Sequence, residues 1–461
     1  MTNSTSPTLG ITARAAAFAA DRTLHFPAAA LDIARLSVFD CLAVAIAGMH
    51  EPVSQAVREL VRSEGGAPQA SAFGLAQRVP ARAAALLNGA SAHALDYDDT
   101  HFDFVGHPSA AVLPAVLAIA EKRQASGKAL LEAFLVGVET TCRVGAWLGR
   151  PHYNAGFHQT ATSGAFGATA AAARLLGLGA DQAGHALGLA ATRASGLKCQ
   201  FGTMSKPFHA GMAASTGVEA ATLAGLGFVA RPDAIECPGG FAITHGAAQG
   251  CLDNPFAGQP HAFRFVEVQY KFHACCHGTH PALEALTALR EKHRLQPDDI
   301  ARITLEIAPQ WLPVCCIPKP STGLEAKFSL PLTTAMIFAG IDTASLSSFS
   351  EATCQDSVLV EIASRVEISP NPAVADTACR ATVITHSGTS LEYTIDLCNR
   401  VPYSVKATKL RAKAEALLGA AQAQALWTFV DSLDALPAQS LYPSLHGWMA
   451  GDGIARKPGA E

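Results

Sequence analysis

The stretch GAFGATAAAARLL, from Gly164 to Leu176, is built almost entirely from small residues. A helix of this composition lets neighbouring backbones approach closely, because the distance between packed helices depends on the side chains at their contact. The stretch is too short and too interrupted to span a membrane. We therefore predict that it forms a helix in the middle of a helical bundle.

On both sides of this stretch, alanine, leucine and glycine recur with helical periods from about Ala13 to Leu226. This pattern predicts a bundle of helices with short, glycine-marked connections. The segment after the polar opening Met1–Pro7 is interpreted as a first helix and not as a transit peptide. The other predicted helices are Ala28–Ala47, Ala110–Lys122, Lys128–Leu148, Asp181–Ala194 and Ala210–Ala224.

The pattern changes near His261, and segments of alternating hydrophobicity, which predict strands, follow from Ala301 onward. Isoleucine and leucine alternate with polar residues in Ala301–Ile307, which predicts a half-buried strand. Further elements are a strand at Val366–Ser369, a hairpin within Ala378–Leu397, and helices at Pro281–His293, Leu332–Gly340 and Thr408–Leu436. The predicted fold is mainly α with an α+β second domain. Residues 1–265 and 402–461 form a discontinuous helical domain, and 266–401 form an α+β lid.

The composition is typical of a compact globular protein without a strong charge. Hydrophobic residues make up 49% of the 461 residues, charged residues make up 16%, and the formal net charge is -4. A chain of this length exceeds one ordinary core, so two or three domains are expected. The weak charge disfavours nucleic acid or an anionic membrane as a partner. No apolar run is long enough to predict a transmembrane helix.

The twelve cysteines occur singly or as the adjacent pairs Cys275-Cys276 and Cys315-Cys316. Disulfide frameworks are typical of small secreted chains, and this chain is neither small nor led by a signal peptide. We therefore expect free thiols and a cytoplasmic location. No C-x-x-C pair occurs, which disfavours a zinc knuckle, and adjacent cysteines do not easily face one iron–sulfur cluster.

The first cluster of ionisable residues reads LDYDDTH and is followed by GHPS. Its three carboxylates within four residues repel one another unless something offsets their charge. One interpretation is a loop at a pocket mouth, in which His107 is a general acid or base and Asp96 or Asp99 orders it. The alternative is a solvated acidic turn, with Ser109 capping the next helix. No H-x-x-x-H spacing in this segment indicates a metal.

Two further clusters stand at predicted helix starts. HYNAGFHQT places His158 beside the N-terminus of the small-residue helix, where free backbone N–H groups favour anions. SKPFH places Lys206 before Pro207, a typical helix start, and this lysine can pair with a substrate carboxylate or act as an acid or base. The alternatives are a loop histidine with satisfied hydrogen bonds and a surface lysine whose stem packs on the protein.

The fourth cluster, KFHACCHGTH, marks the boundary between the helical and the α+β patterns. Clefts between domains are preferred ligand sites, and three histidines with two thiols can supply an acid, a thiolate base or metal ligands. The spacings of His273, His277 and His280 are weak metal signals without a neighbouring carboxylate. The alternative is a buried hinge with satisfied histidines.

Together these segments resemble the MmgE/PrpD family, which includes 2-methylcitrate dehydratases, cis-aconitate decarboxylases and iminodisuccinate epimerases. The matching text is LNGASAHALDYDDTHFDFVGHPSAAVLPAVLAIAE, GFHQTATSGAFGATAAAARLLGL, FGTMSKPFHAGMAA and CCHGTHPALEAL, with a weaker match in EAKFSLPLTTA. The resemblance extends from about residue 13 to 440. Its motifs are specific to the family and much less specific to one reaction within it.

The resemblance implies a helical domain built from both chain ends, an inserted α+β lid, a homodimer, and no metal or organic cofactor. It also implies a small carboxylate as the substrate. Matched motif by motif, the resemblance implies that five residues line the pocket: Asp96, Thr100, His107, His158 and Lys206. Further predicted substrate contacts from the same segments are Tyr153, His209 and His277.

Two positions depart from the decarboxylase-like pattern. That pattern has a histidine four residues before the histidine of TH, where this chain has Cys276, as many epimerase-like members do. Family members often carry a tyrosine three residues after the serine of KFS, where this chain has Leu332. A phenolic hydrogen-bond donor is therefore missing, and both departures argue against decarboxylation of cis-aconitate.

The chemistry shared by the family's reactions suits these residues. Removing a proton next to a carboxylate builds negative charge on that carboxylate, and cationic groups that meet this charge lower the barrier. We predict that Lys206 clamps the carboxylate, that His107 or His158 moves the proton, and that Asp96 orients a histidine. Thr100 is predicted to bind the substrate. Cys276 is either a second acid–base group or a plain buried side chain.

These residues predict a lyase of the dehydratase type that acts on a small di- or tricarboxylic acid. The runner-up is an isomerase that epimerises an amino- or imino-dicarboxylate such as iminodisuccinate. A third hypothesis is a catalytically inactive binding protein. The four ionisable residues Asp96, His107, His158 and Lys206 argue against it, because an inactive site would tolerate their loss.

Overall fold

The computed structural model describes residues 10–247, 250–258 and 262–450. The chain divides into two units, Met1–Val268 with Ala420–Glu461, and Gln269–Gly419. A boundary at 401/402 would assign the helix Tyr403–Leu418 to the first domain, whereas this helix lies in the second unit. The domain assignment from sequence itself stays a prediction.

The first unit is helical. Short 3-10 turns, at Lys198–Gln200 and Arg264–Glu267, interrupt its connections. Before the second unit, the described residues form the helices α1 Ile11–Ala20, α2 Ala28–Gly48, α3 Pro52–Glu64, α4 Ala81–His93, α5 Pro108–Arg123, α6 Gly127–Asn154, α7 Gln159–Leu176, α8 Ala180–Arg193, α9 Ser205–Gly225 and α10 Phe241–Thr244.

The second unit holds a four-stranded sheet with β1 Ile300–Ile307, β2 Val366–Pro370, β3 Ala378–Thr385 and β4 Ser390–Asp396. The strand order is β2-β1-β3-β4, with β1 parallel to β2 and antiparallel to β3, and β3 antiparallel to β4. Its helices are α11 His280–His293, α12 Leu312–Cys315, α13 Gly323–Ala326, α14 Leu330–Ala339, α15 Glu351–Gln355, α16 Ser357–Ala363 and α17 Tyr403–Leu418.

The chain then returns to the first unit with α18 Ala420–Asp431 and α19 Ala438–Ala450. The sequence predicts one continuous helical stretch here, but Gly419 ends α17 with a left-handed φ of 85°. Glycine adopts this conformation at low cost, so it terminates one helix and lets the next begin. Trp427 on α18 packs its ring edge-on against Phe39 of α2.

The small-residue helix α7 is the centre of the first unit, as the sequence predicts. All residues from Gln159 to Arg174 are buried, and α7 packs against α5, α6, α8 and α9. Contact between α6 and α7 is so close that a side chain at Gly167 would collide with the backbone carbonyl of Gly137. The run of glycine and alanine is therefore what allows the neighbouring helices to pack closely around α7.

The sheet buries the alternating side chains that identify its strands. Ile303, Leu305 and Ile307 are buried on β1, while the residues between them are partly exposed. α11 packs on β3 and β4. The hairpin between β3 and β4 turns at Gly388, which has a left-handed φ of 84°. The predicted fold class, mainly α with an α+β second domain, is confirmed.

Two general properties follow from the described residues. None of their helices combines the length and the apolar character that crossing a membrane requires. All twelve cysteines fall within the described ranges and are free thiols.

A buried ion pair fixes the loop that follows α10. Arg143 and Glu139 lie one turn apart on α6 with at most 1% of either side chain exposed. The guanidinium donates to the carbonyls of Pro255, Ala257 and Ala262 at 2.7 to 3.0 Å. Glu139 accepts the backbone N–H groups of Arg264 and Phe265 at 2.9 Å. The pair therefore satisfies backbone groups that no regular element satisfies.

We expect the substitution Arg143→Met to lower the free energy of unfolding by about 3–5 kcal/mol, because it leaves the Glu139 charge buried without its partner. The midpoint of urea unfolding measures this loss. The matched control is Arg62→Met, which removes an exposed pair with Glu59 and should change stability by less than about 1 kcal/mol. Equal effects of the two substitutions would contradict the structural role of the buried pair.

Candidate active site

The N-terminal ends of α5, α7 and α9 carry the three basic residues predicted for the site. His107 and His158 are the residues that precede α5 and α7, and Lys206 is the second residue of α9. The backbone N–H of His107 donates to Thr160 at 3.0 Å, which ties the start of α5 to the start of α7. Helix N-termini carry partial positive charge, so this arrangement favours an anion.

Asp96 links the lysine to the first histidine. Its carboxylate lies 2.6 Å from the Lys206 ammonium and 3.5 Å from Nε2 of His107. The Asp96 backbone is left-handed, with φ of 50°, a conformation that aspartate tolerates better than most residues. Its side chain is 44% exposed and that of Lys206 15%. The pair therefore forms the accessible edge of the cluster.

Asp98 links the same histidine to a second one, His93. Asp98 is fully buried, and its two oxygens lie 2.8 and 3.0 Å from Nδ1 of His93. One of these oxygens is also 3.2 Å from Nδ1 of His107. Burial alone would raise the pKa of Asp98, but the charges of the two histidines outweigh it and hold that pKa well below its ordinary value. Asp98 is therefore an ionised carboxylate between two imidazoles.

His93 and Asp98 are the site residues that sequence reasoning missed. The sequence prediction concentrated on Asp96, Asp99 and His107, and His93 ends the alanine-rich α4 five residues before Asp98. A lone histidine in an apolar helix is a weak signal, because most such histidines are buried for structural reasons. Only the fold shows that the chain turns back after α4 and brings His93 onto Asp98.

Asp99 has a different role from the one predicted. It does not order His107; its oxygens accept the Ser109 backbone N–H at 3.2 Å and the Ser109 hydroxyl at 2.5 Å. Complete burial raises the pKa of Asp99 to about 8, assisted by the charges of Asp40 and Asp98 and opposed by the Ser109 bonds. Ser109 lies inside α5 and does not cap it, since His107 precedes the helix.

The three neighbouring carboxylates thus avoid mutual repulsion in three ways. Asp96 pairs with a lysine, Asp98 lies between two histidines, and Asp99 keeps its proton near neutral pH. The alternative of a solvated acidic turn is wrong, because Asp98 and Asp99 are buried.

We expect Asp99→Asn to stabilise the protein, and to do so more at pH 8 than at pH 5. The folded protein holds the proton up to about pH 8, whereas the unfolded chain releases it near the ordinary value of 3.8. Wild-type stability therefore falls as the pH rises from about 4 to about 8, and an amide removes that loss. The extra stabilisation at pH 8 should be about 3–4 kcal/mol, because each pH unit in which only the unfolded chain is ionised costs about 1.4 kcal/mol.

Urea unfolding of the wild type and the variant at both pH values measures this difference. Asp103→Asn is the matched control, since Asp103 is exposed and pairs with Arg264 on the surface. It should give the same small change at both pH values. An effect of Asp99→Asn that does not depend on pH would show that Asp99 is ionised in the folded protein.

His158 is held neutral by its surroundings. Burial lowers its pKa well below the ordinary value, and the neighbouring charges of His93, Lys206, His107 and His209 lower it further. Nδ1 of His158 lies 3.2 Å from Nδ1 of His209, so one ring donates the hydrogen and the other accepts it. Burial also lowers the pKa of His209. His158 can therefore accept a proton near neutral pH.

The geometry brings together five predicted residues, Asp96, His107, His158, Lys206 and His209. Thr100 is buried on the loop that carries the three carboxylates. Tyr153 contacts Lys198, whose ammonium lies 3.6 Å from the centre of the Tyr153 ring. The catalytic and binding roles assigned to all of these residues remain predictions.

A cavity of about 420 Å³ adjoins this cluster in the first unit. Its walls include the apolar side chains of Phe157, Leu197, Phe208 and Met212, together with His209. Because His209 contacts both the cavity and His158, an apolar part of a ligand would fit beside the histidines.

The remaining predicted residues, Cys276 and His277, lie in the second unit. Cys276 precedes a 3-10 turn at His277–Thr279, and its backbone N–H donates to Lys327 at 2.9 Å. The His277 ring lies 4.7 Å from that of His280. The Cys315 thiol donates hydrogen bonds to Cys276 and Cys316, and these bonds, together with burial, raise the pKa of Cys315. Cys276 is therefore part of a group of thiols.

Four side chains of the first unit also have the types and spacing of a metal site. Donor atoms of His93, Asp96, Asp98 and His107 all lie within 4.8 Å of one another. Mixed nitrogen and oxygen ligands suit ions such as zinc or manganese. However, the ammonium of Lys206 already pairs with the Asp96 carboxylate. A metal-independent site therefore stays a prediction, which removal of metals with EDTA tests directly.

Comparison with known families matches both halves of the chain. A family model described as the MmgE/PrpD N-terminal domain matches residues 13–249. A second model, the MmgE/PrpD C-terminal domain, matches residues 273–434. The two matches include every site residue discussed above.

Similar curated proteins carry names that refer to one reaction. A cis-aconitate decarboxylase-like protein of Aspergillus oryzae is 32% identical over 302 residues, which cover 61% of this chain and 63% of that protein. The cis-aconitate decarboxylase of Homo sapiens is 31% identical, over 64% of this chain and 63% of the human protein. That of Mus musculus is 29% identical over 78% of this chain and 77% of the mouse protein. The match thus spans less than two thirds of the first two relatives.

Proposed function

Because the chain belongs to the MmgE/PrpD family, we propose that it is a lyase that acts on a small hydroxylated di- or tricarboxylic acid. It would work without a cofactor, by removing a proton next to a carboxylate. The observation that carries this proposal is the line of alternating charges from Lys206 through Asp96 and His107 to Asp98. Relatives named as cis-aconitate decarboxylases support the class of reaction.

Lys206 is the group that meets the substrate carboxylate. Its ammonium stands at the start of α9 and on the accessible edge of the cluster, where Asp96 holds it in place. A substrate carboxylate that binds there gains negative charge as the neighbouring carbon loses its proton. A fixed cation beside this carboxylate stabilises the transition state more than the ground state, and this difference accelerates the reaction.

The two histidines divide the proton transfers between them. His158 is neutral, so it can accept the proton from carbon. Both ring nitrogens of His107 face carboxylates, which stabilises its protonated form and makes it the acid. The electron pair of the broken C–H bond forms the C=C bond, the C–O bond breaks, and the His107 proton converts the leaving hydroxyl to water.

Decarboxylation is the second candidate, and the names of the relatives favour it. The C–CO2 bond would break, and the electron pair left on carbon would take the His107 proton. Two features argue for dehydration instead. Cys276 stands where the decarboxylase-like pattern has a histidine, and Leu332, where a tyrosine is common, is buried in α14 without a polar group.

Epimerisation is the remaining alternative. It needs two acid–base groups on opposite faces of one carbon, and Cys276 is the residue in the chain whose place in the family pattern suggests a second group. The thiol of Cys276 is hydrogen-bonded with the Cys315 thiol.

The experiment that tests the proposal is an assay of EDTA-treated enzyme with hydroxylated and unsaturated di- and tricarboxylic acids. Formation of a conjugated alkene is followed by ultraviolet absorbance, and release of CO2 is measured in parallel. We expect absorbance to rise with a hydroxy acid without release of CO2. Release of CO2 from cis-aconitate alone would replace dehydration by decarboxylation, and activity that returns only with added metal would overturn the cofactor-free mechanism.

A further inference from the structure

Among the residues that the structure describes, the buried His93 side chain hydrogen-bonds only with the carboxylate of Asp98. Its Nδ1 lies 2.8 and 3.0 Å from the oxygens of Asp98, while its Nε2, also buried, has no hydrogen-bond partner among the described residues. An ionised carboxylate only accepts hydrogen bonds, so the hydrogen of His93 is on Nδ1. His93 therefore acts on the cluster as a donor to Asp98.

The same reasoning extends through Asp98 to the proposed acid. One oxygen of Asp98 lies 3.2 Å from Nδ1 of His107, an ion-pair contact without the angle of a formed hydrogen bond, and the negative charge of this oxygen favours a hydrogen on the nitrogen that it faces. The proton that His107 transfers is then on Nε2, the nitrogen that faces Asp96. The Asp98 carboxylate thus decides which ring nitrogen of His107 transfers the proton, as in other carboxylate–histidine pairs.

We propose that His93 is a positioning residue: it fixes Asp98, and Asp98 in turn fixes the ring orientation and tautomer of His107. This inference rests on the proposed function of His107 as an acid. A fully buried carboxylate is costly unless hydrogen bonds satisfy it. Without His93, Asp98 would lose the partner that contacts both of its oxygens, and the carboxylate would rotate or take up a proton.

The packing around His93 supports a positioning role. Its ring centre lies 4.5 Å from that of His107 and 5.8 Å from that of His158, the latter nearly parallel. The titratable groups whose charges His93 meets are Asp98, His107, His158 and His209. One buried ring thus touches both histidines that are proposed to move protons, although it lies behind them.

The substitutions His93→Asn and His93→Leu separate this role from simple packing. The asparagine amide can donate one hydrogen bond from about the position of Nδ1, whereas leucine cannot donate. We expect His93→Leu to lower kcat about 10- to 100-fold with little change in KM, and His93→Asn to recover most of the activity. Ser91→Ala is the matched control, because the buried Ser91 hydroxyl on the same helix has no hydrogen-bond partner among the described residues.

A second readout does not depend on any substrate. Nitrogen-15 NMR of labelled histidines, recorded at a pH high enough for the His107 ring to be neutral, distinguishes its two tautomers, and the His107 signals are identified by their absence in His107→Asn. We expect a hydrogen on Nδ1 of His107 in the wild type and in His93→Asn, and a mixture of tautomers in His93→Leu. If the NMR spectra show the expected tautomers while the enzyme converts none of the carboxylic acids tested, the proposed function is wrong and the positioning role of His93 still stands.

Unchanged His107 signals in His93→Leu would overturn the inference, as would equal loss of activity in the asparagine and leucine variants. Asp98→Asn provides the check if His93→Leu does not fold, since it breaks the same connection at its middle. It should produce the same mixture of His107 tautomers.

Discussion

Replacing Lys206 by alanine is expected to lower kcat/KM about 10²- to 10³-fold, the usual loss when a group that stabilises developing charge is removed. The ammonium is the cation on the accessible edge of the cluster, 2.6 Å from the Asp96 carboxylate. Without it, a substrate carboxylate would meet the charge of Asp96 directly. Binding and the chemical step should both suffer, so KM rises while kcat falls. Steady-state kinetics with the acid that the alkene assay identifies measure both effects.

Lys198→Ala is the matched control for this prediction. Lys198 packs over Tyr153 and donates to its backbone carbonyl, and it does not contact Asp96. Its loss should change kcat/KM less than about threefold, in line with ordinary surface substitutions. Lys206→Arg keeps the charge but changes its geometry, and should retain part of the activity. Unchanged kinetics in Lys206→Ala would contradict the proposed role of Lys206 in binding the substrate carboxylate.

The substitution His107→Asn is expected to lower kcat about 10³-fold with little effect on KM, because general acid–base groups act in the transition state. Asparagine keeps a hydrogen-bonding amide between Asp96 and Asp98 but cannot transfer a proton near neutral pH. The limb of the kcat–pH profile that reports the acid should therefore disappear. The profile of the wild type, measured over the same range, provides the comparison.

His185→Asn controls for the general effect of losing an imidazole. His185 lies on α8 and its Nδ1 is 2.6 Å from the Ala230 carbonyl, within the first unit but in a different part of the helical bundle. This variant should keep both the rate and the pH profile. A His107→Asn enzyme that retains its rate would move the acid to another group, with His158 as the first candidate to replace it.

The helices and strands could be predicted because their signals are local. The alanine- and glycine-rich helices around α7 and the alternating residues of β1 follow directly from the period of the apolar residues. Breaks that depend on one residue were harder to predict. Gly419 divides the last predicted helix in two, although glycine also occurs within helices of this chain.

Site residues within the family motifs could be predicted from the sequence. The contacts that these residues make in the folded protein were harder to predict. Asp96, His107 and Lys206 do lie together, as the motifs imply. The exchange of roles between Asp98 and Asp99 could not be predicted from the sequence, because the two residues are adjacent and chemically identical. Asp98 is buried beside two histidines and is ionised, whereas Asp99 is buried near other carboxylates and stays neutral.

The measurement that tests the proposed chemistry most directly is proton NMR of EDTA-treated enzyme in D2O with citrate, 2-methylcitrate, cis-aconitate, malate, tartrate and iminodisuccinate. The proposed mechanism predicts new vinyl protons from one of the hydroxy acids, and their loss in the Lys206→Ala and His107→Asn variants. Deuterium that enters a position next to a carboxylate without a vinyl product would contradict dehydration and identify an epimerase.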